Sequence, residues 1–238
     1  MFVEPSTLIL SPHCDDAPLS MGASLLTRNP SHPTRVSIVF SRSRCTKEFP
    51  CNGPEEQVTQ LRHREEMQAA QIAGYGLDFW GFGEPFVRPG FQQVADIFDL
   101  RRPLAHESVW EHLLAAVDRA VCSHTGLLVA PLGCGGHIDH RIVRAAVLAC
   151  WTRYPHLRVG FYEDLPYCHS LSDAQILAAL PVVADRSFQP HIVSEGLGPK
   201  LALLEVYRSQ LSDGHLWAVK AYWARRGGER LWIAGSVD

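Results

Sequence analysis

The alternation of short apolar segments with longer runs of helix-forming residues constrains the fold of this chain more than any other feature. Several of the short segments are almost entirely apolar, which is typical of strands buried on both faces. Strands that alternate with helices in this way form a mostly parallel sheet with helices on both sides. The pattern therefore predicts an α/β fold, a Rossmann-like three-layer sandwich with a mostly parallel sheet.

The individual elements follow from the same pattern. Strands are predicted at residues 7–11, 35–41, 77–81, 127–130 and 158–162. Helices are predicted at residues 17–28, 55–72, 107–122, 138–153, 173–179, 199–211 and 216–225. A chain of 238 residues is long enough for one substantial core and short for two. We therefore expect a single domain over residues 1–238.

Composition narrows the partners that the chain can have. The formal net charge of −3 provides no positive field that would attract nucleic acid, so a small-molecule partner is expected. No apolar run reaches the ~20 residues of a membrane span, and the first residues lack the basic start of a secretory signal. We expect a cytoplasmic protein without a membrane partner, and association into a homo-oligomer is compatible with the sequence.

The seven cysteines are an odd number and include no Cys-x-x-Cys pair. This usage is typical of reduced thiols rather than of a disulfide framework. Cys45 and Cys51 flank a short polar stretch and are close enough in sequence to pair under oxidation. Two unpaired loop thiols are the simpler interpretation, and we assign them no role.

Two segments, 43–54 and 81–103, are rich in glycine, proline and polar residues and are predicted to be long loops. Loops of this length in a compact domain form functional lids or pocket walls, or are tolerated surface insertions. Both interpretations stay open here. Four aromatic residues in or near the second loop either stack on a sugar or pack in the core, and core packing is the simpler interpretation: Phe79, Trp80, Phe82 and Phe86.

The first predicted strand leads directly into a polar turn that contains His13, Asp15 and Asp16. Imidazole and carboxylate groups suit a borderline divalent ion such as zinc or iron. Adjacent side chains cannot point the same way, so one of the two aspartates can stay off the metal and accept a proton from water. Alternatively, an aspartate caps the following helix and His13 is a satisfied histidine at the strand end.

A second polar turn follows the strand at 127–130 and contains His137, Asp139 and His140. Two residues three positions apart lie on one helical face, so His137 and His140 can converge. The alternative is a solvated helix start in which Asp139 stabilises the helix dipole. Because the carboxyl ends of parallel strands open on one edge of a sheet, we expect the two turns to meet at a shared metal site.

The two turns, PHCDDA and GHIDH, resemble the signatures of the LmbE-like or PIG-L de-N-acetylases. Further resemblance lies in RHREEMQAAQIAG, FYEDLPY and KLALLEVYRSQL, so that it covers most of the chain. The resemblance implies a metal-dependent amide hydrolase that removes an acetyl group from an N-acetylglucosamine-type sugar or a sugar-containing metabolite, as in natural-product biosynthesis.

The resemblance also implies residue roles. His13, Asp16 and His140 would bind Zn²⁺, and ferrous iron is compatible with the same ligands. Asp15 would be the general base. His137 would act as general acid or stabilise the oxyanion, with Asp139 tuning its protonation.

The sequence departs from the commonest form of the first motif at two positions. Cys14 stands where proline is usual, and Ala17 stands where glutamate is frequent. Neither position is a ligand in the family, although an acidic outer contact is missing at Ala17. We do not expect Cys14 to be a ligand or nucleophile, because neighbouring residues of a strand face opposite sides.

Substrate contacts are predicted at Arg62, Glu163 and Asp164, which are expected to reach the pocket rim; surface ion pairing is the alternative for Arg62. Two other functions are compatible with the sequence. One is hydrolysis of a non-sugar amide or an ester at the same metal site, and the other is a non-catalytic ligand-binding module on the same fold.

Overall fold

The short apolar segments of the chain become the strands of one sheet in a computed structural model that describes residues 6–236. The strands are β1 (Thr7–Ser11), β2 (Thr34–Arg42), β3 (Gly76–Gly83), β4 (Leu127–Pro131), β5 (Arg158–Tyr162), β6 (Arg186–Val193) and β7 (Glu229–Ser236). The helices are α1 (Asp16–Thr27), α2 (Glu55–Ala73), α3 (Val94–Ile97), α4 (Trp110–Val121), α5 (Ile138–Arg153), α6 (Asp173–Ala179), α7 (Leu197–Leu204) and α8 (Asp213–Arg226).

The sheet has the order β3-β2-β1-β4-β5-β7-β6. The first five strands in this order are parallel to their neighbours, and Ile9 at the centre pairs with Val36 of β2 and Val129 of β4. All three side chains are almost fully buried, as expected for a parallel sheet covered on both faces. The predicted mostly parallel α/β architecture is confirmed.

Two strands were absent from the sequence-based prediction. β7 runs antiparallel to β5, and β6 runs antiparallel to β7 at the sheet edge. β6 contains Pro190, and none of its eight positions is fully buried, so its pattern lacks the apolar signal of an inner strand. Proline is tolerated in an edge strand because one side of the backbone needs no partner there.

The helix predicted at 199–211 is wrong in its second half, because α7 ends at Leu204. The chain continues as irregular turns in which Tyr207 and Ser209 bond to helix α2. The Tyr207 hydroxyl donates to Glu66 Oε2 at 2.8 Å, and the Ser209 backbone N–H donates to Glu65 Oε1 at 2.8 Å. These side-chain bonds to α2 compete with continuation of the helix, which periodicity alone does not reveal.

The helices pack in two groups. Helices α1, α2, α7 and α8 contact one another, whereas α4 packs against α5. In the part of the chain that the structure describes, no helix is both long enough and apolar enough to cross a bilayer. All seven cysteines lie within this part and are unpaired, as the sequence predicts.

The position of the candidate site follows from strand order. β1 and β4 are neighbours, yet the chain leaves β1 towards β2 on one side and leaves β4 towards β5 on the other. A parallel α/β sheet opens a crevice at such a point, beyond the carboxyl ends of the two strands. The turns after β1 and β4 carry the two histidine motifs, so the topology brings them together.

Candidate active site

Three side chains from the two turns converge at the carboxyl edge of the sheet. His13 Nδ1 lies 3.0 Å from Asp16 Oδ2, and His140 Nε2 lies 3.1 Å from the same oxygen. The donor atoms of the three residues lie within 4.8 Å of one another, and all three residues are buried. Strands β1 and β4 fix the two turns, so the convergence is built into the fold.

The surroundings of these atoms fit a divalent cation. His140 Nε2 is buried, and its contact with Asp16 Oδ2 at 3.1 Å lacks hydrogen-bond geometry, although buried polar atoms are nearly always hydrogen-bonded. The other ring nitrogens are held by carboxylates: His13 Nε2 lies 2.9 Å from Asp139 Oδ2, and His140 Nδ1 lies 2.6 Å from Asp164 Oδ1. Metal-binding histidines are typically oriented by a carboxylate in this way.

The electrostatics of the cluster agree with this interpretation. Burial by itself would lower the pKa of His13, but Asp16 and the bond to Asp139 outweigh burial and raise that pKa to about 9. Burial would likewise lower the pKa of His140, which Asp16 and Asp164 raise well above its usual value. The carboxylates thus favour positive charge at this position, and a bound cation replaces the imidazole protons.

A second group of possible ligands consists of His13, His137 and Asp139. Asp139 is already engaged, since its Oδ1 lies 2.7 Å from Arg88 Nη1 and its Oδ2 contacts His13. Burial opposes ionisation of Asp139, but Arg88 and His13 lower its pKa to about 2. A carboxylate paired with a buried guanidinium is a poorer ligand than Asp16, so we favour the set with Asp16 and His140.

Asp15 lies beside the three candidate metal donors but is not one of them. Its backbone adopts a φ of 96°, which is uncommon outside glycine. Its N–H donates to Glu66 Oε2 at 3.0 Å, and Glu66 is fully buried on α2. This turn separates the two carboxylates: Asp16 faces the histidines, and the half-buried Asp15 lines the open cleft.

Burial and the charge of Asp16 raise the pKa of Asp15 well above its usual value. Among the described residues, its carboxylate receives no hydrogen bond. Asp15 is thus a carboxylate with increased proton affinity that faces the cleft, the property that a general base requires.

His137 caps the amino end of α5. Its Nδ1 accepts a hydrogen bond from the Asp139 backbone N–H at 3.2 Å, which assigns the ring proton to Nε2. Burial and the neighbouring His13 lower the pKa of His137 well below its usual value, so the neutral ring is favoured. His137 lines the cleft.

The cleft has a volume of about 360 Å³, which is in the range of small-molecule sites. The two long loops, 43–54 and 81–103, form part of its walls, as one of the two interpretations of these loops expects. Residues 43–54 provide Cys45 and Cys51, and residues 81–103 provide Glu84, Phe86 and Phe98.

The other three aromatic residues named from the sequence do not line the cleft. Phe79 stacks on His63 with ring centres 3.8 Å apart, Trp80 donates to Asp78, and Phe82 packs against Phe40.

The three predicted substrate contacts have different surroundings. Arg62 lines the cleft but is buried, and its Nη1 lies 2.6 Å from Glu84 Oε1. Glu163 is buried just after β5 and accepts hydrogen bonds from Tyr222 and Trp232 at 2.9 Å each. Asp164 is fully buried against His140. The structure therefore places neither acidic residue at the pocket rim, where the sequence interpretation expected them.

Sequence reasoning also missed residues. Glu66 is a buried residue of α2 that accepts the Asp15 backbone N–H. Arg88 is a buried residue in the segment after β3 that pairs with the Asp139 carboxylate. Tyr167 lines the cleft, and its ring centre lies 5.5 Å from that of His140. A buried partner of this kind leaves no periodic signal, because its role depends on a contact distant in sequence. Cys14 is buried, and burial raises the pKa of its thiol, in line with the expectation that it is not a ligand.

Comparison with known proteins adds an independent finding. Residues 8–151 match the PIG-L family model, described as GlcNAc-PI de-N-acetylase. The chain is 29% identical over 236 residues to the 2'-N-acetylparomamine deacetylase of Streptomyces fradiae. The aligned region covers 97% of this chain and 82% of that protein.

Solved structures share the fold. The zinc-inhibited form of teicoplanin deacetylase Orf2 aligns with a TM-score of 0.72 at 20% identity, over 98% of this chain and 99% of that one. The A40926 pseudoaglycone deacetylase Dbv21 aligns with a TM-score of 0.67 at 22% identity, over 99% and 98% of the two chains.

Proposed function

The chain belongs to the PIG-L family of de-N-acetylases, and from this membership and the cleft we propose that it hydrolyses the acetamido group of an amino sugar in a larger metabolite. Water adds to the amide carbonyl, the C–N bond breaks, and acetate and a free amine are released. The observation that carries the proposal is the pairing of a complete set of metal donors with one separate carboxylate, Asp15, in the same cleft.

In this proposal His13, Asp16 and His140 hold a divalent ion, with zinc as the first candidate and ferrous iron compatible with the same donors. Such an ion, when bound, polarises a carbonyl and lowers the pKa of water. Asp139 and Asp164 are positioning residues, because each holds the second ring nitrogen of one histidine ligand. Asp164 thus leaves the predicted set of substrate contacts.

Asp15 accepts the proton of the attacking water. Asp16 is unsuited to this role, because its Oδ2 contacts both histidine rings and the His13 backbone N–H. The carboxylate of Asp15 has no such commitment, and Glu66 fixes the backbone from which it projects. A positioned general base of this type contributes about 10²–10⁴-fold to rate.

His137 stabilises the oxygen of the tetrahedral intermediate through its Nε2–H. The bond from the Asp139 backbone to Nδ1 supports this role, because it keeps the proton on the nitrogen that is left to face the cleft. The proton that Asp15 takes from water passes to the departing amine, because the neutral ring of His137 is too weak an acid to supply one. Preorganised donors are effective here because they need no reorientation as charge develops on oxygen.

The walls of the cleft support a glycosylated substrate. Polar groups of Arg62, Glu84 and Gln210 suit sugar hydroxyls, while Phe86 and Phe98 offer apolar surface. The relatives named above act on 2'-N-acetylparomamine and on teicoplanin, which supports an amino-sugar group within a natural product as the substrate of this chain. Arg62 is the proposed substrate contact. It lines the cleft together with Glu84, to which it is paired.

Acetate release from a substrate panel tests the proposal. Zinc-loaded protein is incubated with N-acetylglucosamine, an N-acetylated aminoglycoside, an N-acetylated glycopeptide, a simple alkyl acetamide and an acetate ester. We expect acetate only from the glycosylated acetamides, and a loss of at least about 100-fold in Asp15→Asn. The control Asp118→Asn, on α4 and paired with Arg153, retains activity. Faster turnover of the alkyl amide or the ester would refute the sugar assignment, and full activity in Asp15→Asn would refute the proposed base.

A further inference from the structure

A second cluster of metal-binding side chains lies behind the candidate metal centre. Cys134, Asp164 and Cys168 have donor atoms within 4.8 Å of one another. Among residues 6–236, this is the one such group of three that contains cysteine. None of the three is a ligand of the proposed catalytic ion, and the mechanism above uses neither thiol.

We propose that Cys134, Cys168 and Asp164 form a second cation site, selective for a thiophilic ion such as Zn²⁺ or Cd²⁺. Two thiolates and one carboxylate are a donor set that these ions prefer over the harder Mg²⁺ and Ca²⁺. Three protein ligands leave a position for water. Binding requires both sulfurs as thiolates, so two protons pass to solvent when the ion enters.

The backbone holds both cysteines next to Asp164. The Cys134 N–H donates to Asp164 Oδ2 at 3.2 Å, and the Cys168 N–H donates to the Asp164 carbonyl at 2.8 Å. The two sulfur atoms lie within 4.8 Å of each other. The donors are thus assembled before any ion binds, which reduces the entropy lost on binding.

Asp164 retains capacity for a further contact. An ionised carboxylate has about four acceptor positions. Its Oδ2 accepts the N–H groups of Gly133 and Cys134, and its Oδ1 accepts that of His140 Nδ1 at 2.6 Å. One position on Oδ1 is therefore left, on a side chain that is fully buried.

Charge and access agree with an ion at this position. Two thiolates and Asp164 would carry three negative charges, and Arg144 interacts electrostatically with Cys134 and Asp164, which reduces the net negative charge. The remaining charge matches a divalent cation. Cys134 is half-buried and provides a route from solvent, whereas Cys168 is fully buried.

The other close pair of thiols in the chain is a natural control. Cys45 and Cys51 both line the cleft, and each thiol shifts the pKa of the other. Among the residues that the structure covers, no third histidine, cysteine or carboxylate joins them in such a group. Cys45 and Cys51 are therefore a pair of thiols without a third ligand, against which the proposed site can be compared.

Occupation of the second site would act on the first through the shared Asp164. The carboxylate that orients His140 would then also bind a cation, which weakens its hold on the imidazole. We expect the second ion to inhibit hydrolysis, and this consequence rests on the proposed function. The binding itself does not.

Cadmium titration tests the site directly. Cd²⁺ is added to the reduced, zinc-loaded protein, and the ultraviolet charge-transfer absorption of cadmium bound to thiolate is recorded. His13, Asp16 and His140 contain no sulfur, so cadmium at the first site gives no such signal. The variants are Cys134→Ser and Cys168→Ala, with Cys45→Ser/Cys51→Ser as the matched control, and circular dichroism checks that each is folded.

We expect the absorption to saturate near one cadmium ion per chain in the wild type and in the Cys45→Ser/Cys51→Ser control. Since outer contacts alone change metal affinity about 10–100-fold, loss of a direct ligand should weaken binding by at least about 100-fold in the other two variants. Absence of the signal in fully reduced protein, or an unchanged signal in Cys134→Ser and Cys168→Ala, would overturn the proposal. Saturable binding without any effect on acetate release would preserve the site and reject its coupling to catalysis.

Discussion

The Nε2 atom of His13 lies 2.9 Å from Asp139 Oδ2, although the two residues are 126 positions apart in the chain. The contact forms because β1 and β4 are adjacent in the sheet and deliver their turns to one edge. Asp139 is also paired with Arg88, a buried cation at 2.7 Å. Its carboxylate therefore supports His13, and only its backbone N–H contacts His137.

Asp139→Asn tests this arrangement. The amide keeps the shape of the side chain but removes the charge that holds His13 and balances Arg88. We expect metal affinity to fall about 10–100-fold, as is typical for loss of an outer contact to a metal-binding histidine. The measurement is zinc affinity in competition with a chelator. Unchanged affinity together with a lower kcat would instead support a role for Asp139 in tuning His137.

Glu66→Gln tests whether the backbone of Asp15 is held from α2. Glu66 Oε2 accepts the Asp15 N–H, and Glu66 Oε1 accepts the Tyr75 hydroxyl at 2.7 Å. Because small displacements of a catalytic group are costly, we expect kcat to fall about 10–100-fold with KM and metal content unchanged. Tyr75→Phe is the control, since it removes the bond to the other oxygen. Equal losses of kcat in the two variants would argue for a general structural role of Glu66.

His137→Ala removes the proposed donor to the oxyanion. We expect kcat to fall about 10²–10³-fold, as for removal of other oxyanion donors, with little change in KM. His112→Ala, an exposed position on α4, is the control. Steady-state acetate release gives both parameters. A change confined to KM would assign His137 to substrate binding instead.

Glu229→Gln tests the contact that joins β7 to α1. Helix α1 is interrupted at Met21, and the Glu229 carboxylate accepts the N–H groups of Ala23 and Ser24 at 2.8 Å each. It also lies 2.7 Å from the fully buried Lys200 Nζ. Breaking a buried pair leaves an uncompensated charge, so we expect the free energy of unfolding in urea to fall by about 3–5 kcal/mol.

The exposed Glu205→Gln is the control for this change and should alter stability by less than about 0.5 kcal/mol. A loss below about 1 kcal/mol in Glu229→Gln would show that the Lys200 charge finds another partner or is lost.

The parallel part of the sheet and the convergence of His13, Asp16 and His140 could be predicted because their signals are local. Strands such as β1 and β4 are short apolar runs, and each is followed at once by polar side chains. The rule that parallel strands open on one edge then brings His13 and His140 together without further information.

The edge strand β6 and the outer contacts could not be predicted in the same way. Pro190 and exposed polar side chains hide β6, and its pairing with β7 is visible only in three dimensions. The sequence shows that Asp164 is an acidic residue after a strand. That its side chain contacts His140, 24 positions away, is visible only in the structure. Arg88 lies in a segment without periodicity, so its pairing with Asp139 had no sequence signal.

The metal content of two variants shows whether His13, Asp16 and His140 bind one catalytic ion while Asp15 stays free of it. Asp15→Asn and His140→Ala are purified, dialysed against a weak chelator and analysed by mass spectrometry for zinc and iron. We predict that Asp15→Asn retains the wild-type content and releases no acetate, whereas His140→Ala loses both the ion and activity. Wild-type metal content in His140→Ala, or loss of metal in Asp15→Asn, would contradict the account.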